Sequence, residues 1–562
     1  MTNGTSGPDL EAEVKGKPEL IVVAKPEAAV QVTPDGVASA TGASLSDLQE
    51  ILSDEGARLE PLFAAGGDEA NAAVAPAPDD EAAQFFYVDA PEERLETIAA
   101  RLNEVDAVEA AYVKPAAEPA QQVLERSAGL NLMEPDMAAA PAASPDFRSR
   151  QQYLDAAPAG IDAPYAWTLP GGRGQGVKVV DCEWGWQVTH EDLQANSLGI
   201  VAGTIHSSTN HGTAVWGEIG GDVNTLGIVG ISPDAQLGAS SFVNRPTAAT
   251  IDSATNALSA GDIILLEIHR PGPNSGAGGQ QGYVGIEWWP DDFAAIRRAV
   301  NKGIIVVEAA GNGWQNLDDP SYDIAQQGFP ASWRNPFRLS NPQCGAVMVG
   351  AGNPPQGTHG RNTSPGPWSE PYVDRARCGF SNWGARVDAQ GWGWEVTTAG
   401  YGDLQGGADK NKWYTDRFSG TSSASPIVTG ALASVQGVVK AKSMPLLTSW
   451  RARQLLRSTG SPQQAAQGRP VSQRIGNRPN LRQLIPAAMK MWISNATVRF
   501  TYTVASSQAA WAYIETIGWR RIRTGSPDGV SNVFGICCRA QASGKKVNVY
   551  IDDGYLYSVV QL

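Results

Sequence analysis

Three residues of the chain have the types and positions that nucleophilic catalysis needs: an aspartate, a histidine and a serine. Asp181 closes the strand-like run GVKVVD, His211 opens the helix-like run HGTAVWGEIGG, and Ser422 precedes an apolar helical run. A carboxylate can orient an imidazole, and the imidazole can deprotonate a hydroxyl that attacks a carbonyl carbon. Singly, each residue also fits an ordinary role in a turn or near a helix cap. Together they predict a Ser-His-Asp site.

The stretch RFSGTSSASPIVTG holds four serines, of which one is the candidate nucleophile. Stretches rich in Gly and Ser are usually loops. Here Pro426 opens the run IVTGALASVQGVV, and proline at the start of such a run is typical of the first turn of a helix. We therefore expect Ser422 at a helix N-terminus, where free N–H groups and the helix dipole stabilise negative charge beside its hydroxyl.

Strands that alternate with helices must position these residues. Between residues 151 and 487, apolar runs such as GVKVVD, DIILLEI, IIVVEAAGN and GAVMVGAGN alternate with helical ones. This alternation predicts an α/β domain with a parallel sheet that is flanked by helices on both faces. Sites in such sheets form at the carboxyl ends of strands, where Asp181 is expected.

Smaller regions flank this domain on both sides. Residues 1–17 predict a disordered tail and residues 18–116 a small α+β domain, followed by an Ala- and Pro-rich linker at 117–150. From residue 488 to 562, strand-like runs that include SNVFGICCRAQA predict a small all-β domain.

Composition disfavours several classes of protein. Lys and Arg number 43 against 58 Asp and Glu, a net charge of −15, which disfavours a nucleic-acid partner. The sequence predicts neither a membrane span nor a classical secretory signal, so a cytoplasmic location and non-classical export both stay open. The five cysteines lack paired spacing, which favours free thiols over a zinc site or a disulfide framework.

Four segments resemble those of the subtilisin-like (subtilase, S8-type) serine proteases. GVKVVDCEWGWQVTHEDL is similar to the family's aspartate segment, NHGTAVWGEIGG to its histidine segment, IIVVEAAGNG to its oxyanion-asparagine segment and FSGTSSASPIVTGALA to its serine segment. They occur in the family's order within residues 155–460, and four ordered motifs rarely coincide by chance.

The resemblance implies a role for each matching residue. Asp181 would orient the base, His211 would be the base, Ser422 the nucleophile and Asn312 the side-chain donor to the oxyanion. These roles imply a serine endopeptidase that hydrolyses protein or peptide substrates through an acyl-enzyme. No organic cofactor is implied. Calcium binding is common in the family, but no carboxylates can be assigned to a calcium site.

The N-terminal domain resembles the family's inhibitory propeptide, most clearly in AQFFYVDAPEERLETIAARLNEVDAVEAAYVKP. This likeness implies a zymogen whose own N-terminal domain is a partner that caps the active site. The protease would then cut that domain off between about residues 117 and 150. A permanent accessory domain is the alternative interpretation.

The chain departs from the family pattern at three places. Asp181 is followed by Cys182 and Glu183, where the family has a small polar residue and a glycine. Residues 267–269 read Glu-Ile-His where a Ser-Leu-Gly edge normally pairs with substrate. Glu308 stands in a strand where a small residue is usual.

These departures yield a hypothesis about substrate binding by Glu267, His269 and Glu308. Together with Glu183, the two glutamates are expected near the carboxyl ends of strands, around the catalytic serine. An acidic pocket that prefers Lys or Arg in the substrate is one interpretation, since a buried carboxylate needs a cationic partner. The favoured alternative is internal pairing, with His269 or Arg270 or through a shared proton.

A different class of function competes with the protease. The chain could be a catalytically silent or single-target binding protein on a protease scaffold, acting through its C-terminal β domain. The presence of Asp181, His211, Asn312 and Ser422 favours the enzyme, because a missing member of this set would have argued for a silent scaffold.

Overall fold

The structure, a computed structural model, describes residues 14–34, 36–63, 84–121, 143–276, 278–361, 372–505 and 507–562. Most of the predicted disordered tail, and residues 122–142 of the predicted linker, lie outside the described residues.

The N-terminal region is an antiparallel four-stranded sheet with two helices. Its elements are β1 (Glu19–Ala24), β2 (Val30–Thr33), β3 (Gly36–Ser39), α1 (Ser46–Glu55), β4 (Arg58–Pro61), β5 (Phe85–Asp89), α2 (Leu95–Leu102), β6 (Val108–Lys114) and the short β7 (Glu118–Pro119). The strand order in the sheet is β4-β5-β1-β6. Side chains alternate along β1, so Leu20 and Val22 pack beneath the helices while Ile21 and Val23 pack against the central domain. This is the small α+β unit that the sequence predicts.

A seven-stranded parallel sheet forms the central domain, also as predicted. Its elements, with those that surround it, are α3 (Ala163–Trp167), β8 (Lys178–Glu183), β9 (Ser197–Ala202), α4 (Asn210–Gly220), β10 (Gln236–Ser241), α5 (Thr247–Ala257), β11 (Ile263–Leu266), β12 (Ile268–Pro271), β13 (Tyr283–Gly285), α6 (Pro290–Asn301), β14 (Ile305–Ala309), β15 (Val347–Gly352), β16 (Ala389–Trp392), β17 (Val396–Ala399), β18 (Tyr414–Phe418), α7 (Thr421–Ala441), α8 (Ser449–Ser458) and α9 (Leu481–Ala488). The strand order is β16-β15-β14-β11-β8-β10-β9.

Helices cover both faces of this sheet because its strands are apolar on both sides. Val179 and Leu265 face the layer that contains α4 and α7, whereas Val180 and Ile264 face the layer that contains α5 and α6. β8 and β11 are neighbours in parallel register near the centre of the sheet. Their carboxyl ends therefore open onto one edge, where a site is expected.

The C-terminal region contains two small three-stranded sheets and one helix. Its elements are β19 (Lys490–Ala496), β20 (Val498–Thr503), β21 (Ala510–Ile514), β22 (Gly518–Arg521), α10 (Pro527–Ser543), β23 (Val547–Asp552) and β24 (Tyr555–Gln561). The sheets bear out the predicted β character, but the strand predicted at SNVFGICCRAQA is wrong. That run lies in α10, whose N-cap Ser526 accepts a hydrogen bond from the N–H of Gly529 at 3.0 Å, and whose end is the left-handed Gly544. The caps outweigh the apolar, β-branched composition that suggests a strand.

One face of the sheet β20-β21-β22 carries five neighbouring aromatic side chains. They are Phe500, Tyr502, Trp511, Tyr513 and Trp519. The ring centroids of Phe500 and Tyr513 are 5.8 Å apart, and those of Tyr513 and Trp519 are 5.6 Å apart. Phe500 is 57% and Trp519 47% exposed, so these rings form a surface rather than a core.

The five cysteines are free thiols, which confirms the prediction from their spacing. Across the described residues, no helix combines the length and apolar character that crossing a membrane requires.

Candidate active site

His211 is held by a carboxylate at the carboxyl end of β8. It is the second residue of α4, and its Nδ1 is hydrogen-bonded to Oε1 of Glu183, the last residue of β8. Both side chains are buried, His211 being 9% and Glu183 1% exposed. The pair therefore has the arrangement in which a carboxylate fixes the orientation of an imidazole base.

Asp181 is not the partner of His211, contrary to the expectation from the sequence. The strand continues two residues beyond Asp181, and the Oδ2 atom of Asp181 accepts a hydrogen bond from Nε1 of Trp186 at 2.8 Å. Asp181 and Glu183 point to the same face of the sheet, but Glu183 lies at the carboxyl end of β8, nearer to α4. A signal was present in the sequence, because the glycine expected after the carboxylate is Gly185, which fits Glu183 rather than Asp181.

Ser422 lies in the first turn of α7, as predicted, and is completely buried. Its Oγ atom and the Nε2 atom of His211 are both buried without a hydrogen-bond partner. The hydroxyls of two neighbouring serines are already engaged: Ser423 donates to the carbonyl of Trp392 at 2.8 Å and Ser425 to that of Thr421 at 2.7 Å. Ser422 is thus the serine of α7's first two turns whose hydroxyl is left for chemistry.

The N-terminus of α7 begins earlier than the proline suggests. Pro426 is the sixth residue of the helix, not a residue of its first turn. Gly420, immediately before the helix, has a φ of 108°, a backbone conformation that favours glycine. The glycine allows the sharp entry that places Ser422 at the helix start.

The side-chain amide of Asn312 is held in one orientation. Its Oδ1 atom accepts hydrogen bonds from the backbone N–H and the hydroxyl of Thr421, both at 2.9 Å. The Nδ2 group of the amide therefore points away from Thr421, and it donates a hydrogen bond to Oε1 of Gln280 at 3.2 Å. Asn312 thereby presents a fixed N–H donor next to the start of α7.

A segment of the N-terminal region lies across the site. β7 pairs antiparallel with β12, and the N–H of Ala120 donates to the carbonyl of Glu267 at 3.0 Å. The carbonyl oxygen of Ala120 accepts a hydrogen bond from the N–H of Ser422 at 3.1 Å. The edge that carries Glu267, Ile268 and His269 therefore does pair with an extended segment. It holds that segment with the carbonyl of Ala120 at the N–H of Ser422.

The three predicted substrate-binding side chains separate in the structure. Glu308 lies beside Arg386, whose Nη2 is 3.4 Å from its Oε1, so it is paired internally, but with a partner other than the expected His269 or Arg270. Glu267, the residue just before β12, and His269 within β12 lie along the edge that holds Ala120, and an interaction with the Ser422 hydroxyl opposes the rise in the pKa of Glu267. The structure thus brings two of the three to the site.

The carboxyls around the site are deeply buried. Both oxygens of Glu267 and both of Glu218 lack a hydrogen-bond partner of good geometry. Burial raises the pKa of each well above its usual range, and for Glu267 the nearby Asp181 and Glu183 raise it further. Glu218 was not singled out in the sequence, where it reads as one polar residue within an otherwise apolar helix.

The buried imidazole of His211 resists protonation. Burial lowers the pKa of His211 from 6.5 to about 4, and the charge of Asp181 opposes this shift. At neutral pH the ring is therefore in its neutral form, the form in which it can accept a proton.

One buried group of described side chains is close enough to share an ion, yet does not fit calcium. It comprises Glu287, Glu308 and the thiol of Cys344. Calcium prefers oxygen ligands, whereas here Cys344 donates to Glu287 at 2.8 Å and the guanidinium of Arg386 contacts Glu287 at 2.6 Å. Arg386 already supplies the positive charge, so no calcium site is assigned to these residues.

Comparison with known proteins decides the family. Residues 187–477 match the model of the subtilase family, Peptidase S8, which is just over half of the chain. The chain belongs to the subtilase family. This subtilase is accordingly a serine-type endopeptidase, as its sequence predicts.

Characterised relatives agree with that assignment. An intracellular serine protease of Paenibacillus polymyxa is 26% identical over 52% of this chain and 76% of its own length. Subtilisin E of Bacillus subtilis is 24% identical over 55% of this chain and 68% of its own. Among solved structures, fervidolysin from Fervidobacterium pennivorans, described as a keratinolytic enzyme related to subtilisin, covers 92% of this chain and 69% of its own, with 15% identity and a TM-score of 0.47.

Proposed function

We propose that this subtilase is made as a zymogen and cuts its own chain between Ala120 and Gln121, using Glu183, His211 and Ser422 as its triad. Two contacts support the proposal, one at His211 and one at Ser422. Glu183 holds Nδ1 of His211, and the carbonyl of Ala120 accepts the N–H of Ser422.

The first step is acylation of Ser422. His211 Nε2 takes the proton of the Ser422 hydroxyl while Oγ attacks the carbonyl carbon of Ala120. The imidazole becomes a cation as it takes the proton. Burial raises the pKa of the adjacent Glu183 well above its usual range, and the cation favours its carboxylate form, which stabilises the imidazolium in turn. The electrophile is suited to this attack, because its oxygen is already bound by the N–H of Ser422.

The developing oxyanion is stabilised by donors that are fixed in advance. One donor is the N–H of Ser422 at the start of α7, where the helix dipole adds to the effect. The second is Nδ2 of Asn312, whose orientation is set by Thr421. This support makes Asn312 the side-chain member of the oxyanion hole in the proposed mechanism.

Collapse of the tetrahedral intermediate breaks the Ala120–Gln121 bond. His211 gives its proton to the leaving amino group of Gln121, and water later hydrolyses the Ala120 ester on Ser422 with His211 again as base. All of these steps use the chain's own groups together with water. The same cycle would hydrolyse protein or peptide substrates once the N-terminal segment has left the site.

Labelling with a fluorophosphonate tests the assignment of the nucleophile. The processed protein should be labelled at Ser422 and hydrolyse a denatured protein substrate, whereas Ser422→Ala and His211→Ala should do neither. Ser425→Ala is the matched control, since its hydroxyl is bound to the backbone, and it should still be labelled. Labelling at another serine, or labelling of Ser422 without turnover of any substrate, would contradict the proposal and favour the binding-protein alternative.

A further inference from the structure

The side chain that precedes the proposed scissile bond lies on a defined face of β12. The N–H of Ala120 donates to the carbonyl of Glu267, and Glu118 lies opposite His269. Because side chains alternate along paired strands, Ala120 shares a face with Glu267 and His269. The Ala120 side chain is completely buried there. This face therefore forms the pocket for the residue before the cut.

The ring of His269 lies between β12 and the turn that follows β14, at one wall of this pocket. Its Nδ1 atom accepts a hydrogen bond from the backbone N–H of Asn312 at 3.2 Å. A Cβ atom placed on Gly311 would lie 3.4 Å from the same Nδ1 atom, which is ordinary van der Waals contact. On the other side, the ring of Tyr283 lies edge-on with a centroid separation of 4.8 Å. The imidazole thus joins β12 to the turn that follows β14 and fills the space between them.

We propose that His269, with Glu267 beside it, closes the pocket for the residue before the scissile bond, so that this subtilase cuts after Ala, Gly or Ser and not after large side chains. The inference rests on the proposed cleavage after Ala120. In the family's Ser-Leu-Gly pattern, the positions of Glu267 and His269 are occupied by the small residues serine and glycine. A glycine at 269 would leave the space between the two strands open.

The closed pocket carries no fixed charge for a basic side chain. Burial, together with the neighbouring His211, lowers the pKa of His269 to about 3, so the ring is neutral. Glu267 is also driven toward its protonated form by burial. A lysine in place of Ala120 would therefore meet a small, neutral pocket, which removes the reason to expect a preference for Lys or Arg.

Substitutions at Ala120 in the full-length protein test the size limit without altering the pocket. Ala120→Gly and Ala120→Ser should be cleaved within about tenfold of the wild-type rate. Ala120→Leu, Ala120→Phe and Ala120→Lys should be cleaved about 100-fold more slowly, because a large side chain overpacks a well-filled site. The measurement is the first-order rate of cleavage after residue 120, followed by intact mass. Cleavage of the Phe variant at the wild-type rate would overturn the proposal.

A second variant opens the pocket. His269→Gly should restore cleavage of the Ala120→Phe protein to at least ten times the rate of Ala120→Phe alone. The processed His269→Gly enzyme should also cut a peptide library after Phe, Leu or Tyr, where the wild type does not. A library profile that is unchanged by His269→Gly, in a variant that still labels with fluorophosphonate, would overturn the role of His269. If the variant does not label, the Ala120 series still decides the question.

The outcomes separate the two proposals. If the proposed function fails, the unaltered protein is not cut after Ala120, or is cut equally when Ser422 is replaced by alanine. If only the further inference fails, the unaltered protein is cut in a Ser422-dependent way while large residues at 120 are accepted as well.

Discussion

At the scale of single residues, the imidazole of His211 is held by a side chain one methylene longer than aspartate. The longer reach is possible because Glu183 ends β8, and its carboxylate meets Nδ1 from the edge of the sheet. Asp181 lies deeper and is engaged by Trp186. The two acids therefore have different expected effects on catalysis.

Replacing each acid by its amide separates these effects. Glu183→Gln should slow cleavage after Ala120 by about 10⁴-fold, because the amide no longer holds the tautomer and cannot stabilise the imidazolium. Asp181→Asn should cost less than about tenfold, since an amide oxygen still accepts the Trp186 N–H and neutrality suits a buried site. Rates of cleavage in the two full-length variants give the comparison. A larger loss in Asp181→Asn would contradict the assignment of Glu183.

The acid limb of the pH–rate profile should differ before and after processing. With residues 118–121 in place, burial holds the pKa of His211 at about 4, so the neutral base persists and self-cleavage should continue down to about that pH. Once the segment leaves, water reaches the ring and the pKa should move back toward 6.5. The activity of the processed enzyme should therefore fall at a higher pH as the solution is acidified.

The two profiles can be measured separately. Intact-mass time courses at different pH values report self-cleavage, and hydrolysis of a short peptide, as kcat/KM, reports the processed enzyme. Coincident acid limbs, or a self-cleavage limb near pH 6.5, would contradict the account of His211.

At the scale of elements, β6 and β1 dock on the central domain through buried charges. Nζ of Lys114, at the end of β6, contacts Asp291 and lies 2.8 Å from Asp292 at the N-terminus of α6. From β1, Glu19 pairs with Arg270 of β12. These ion pairs hold the N-terminal domain so that the following β7 reaches the active site.

Removal of Lys114 should loosen the docked domain. Lys114→Met leaves three buried carboxylates, those of Glu19, Asp291 and Asp292, without their ammonium partner, at a cost of about 3 kcal/mol or more. After self-cleavage, the N-terminal fragment should therefore dissociate with a Kd about 100-fold higher. Size-exclusion chromatography of the processed protein at several concentrations gives the comparison, with the exposed Lys17→Met as control. Equal co-elution in both variants would show that these contacts do not hold the domain.

Much of the fold could be predicted because periodic apolar runs dominate it. The seven-stranded sheet, the position of His211 at the start of α4 and Ser422 at the start of α7 all follow from strong local patterns. The end of β8 could not be placed, because Asp181, Cys182 and Glu183 are polar or small yet continue a buried strand. α10 was missed because Ser526 and Gly544 define it, and its apolar interior resembles a strand.

The resemblance to a propeptide implies that the N-terminal domain caps the site, but the individual contacts between distant segments could not be predicted. The pairing of β7 with β12 joins residues separated by about 150 positions, and neither segment carries a sign of its partner. The hydrogen bond from the N–H of Asn312 to His269 could not be predicted either, although it fixes the ring of His269 between β12 and the turn after β14. Such contacts depend on the folded sheet, so they appear only with the structure.

At the scale of the whole molecule, one chain is both enzyme and first substrate in the proposed function. The N-terminal sheet packs on the central domain, and β7 carries Ala120 to Ser422. The aromatic face of β20-β21-β22 belongs to the C-terminal region and contains none of the residues assigned to these steps. In the proposed function, Ser422 therefore cuts the bond whose carbonyl oxygen its own N–H already contacts.

The most direct test is a time course of intact mass for the full-length protein and its Ser422→Ala form. We expect the wild type alone to yield two fragments whose masses place the cut between Ala120 and Gln121, at a rate independent of protein concentration. An uncut wild type, a cut at another bond, or equal cleavage in both proteins would contradict the proposed function.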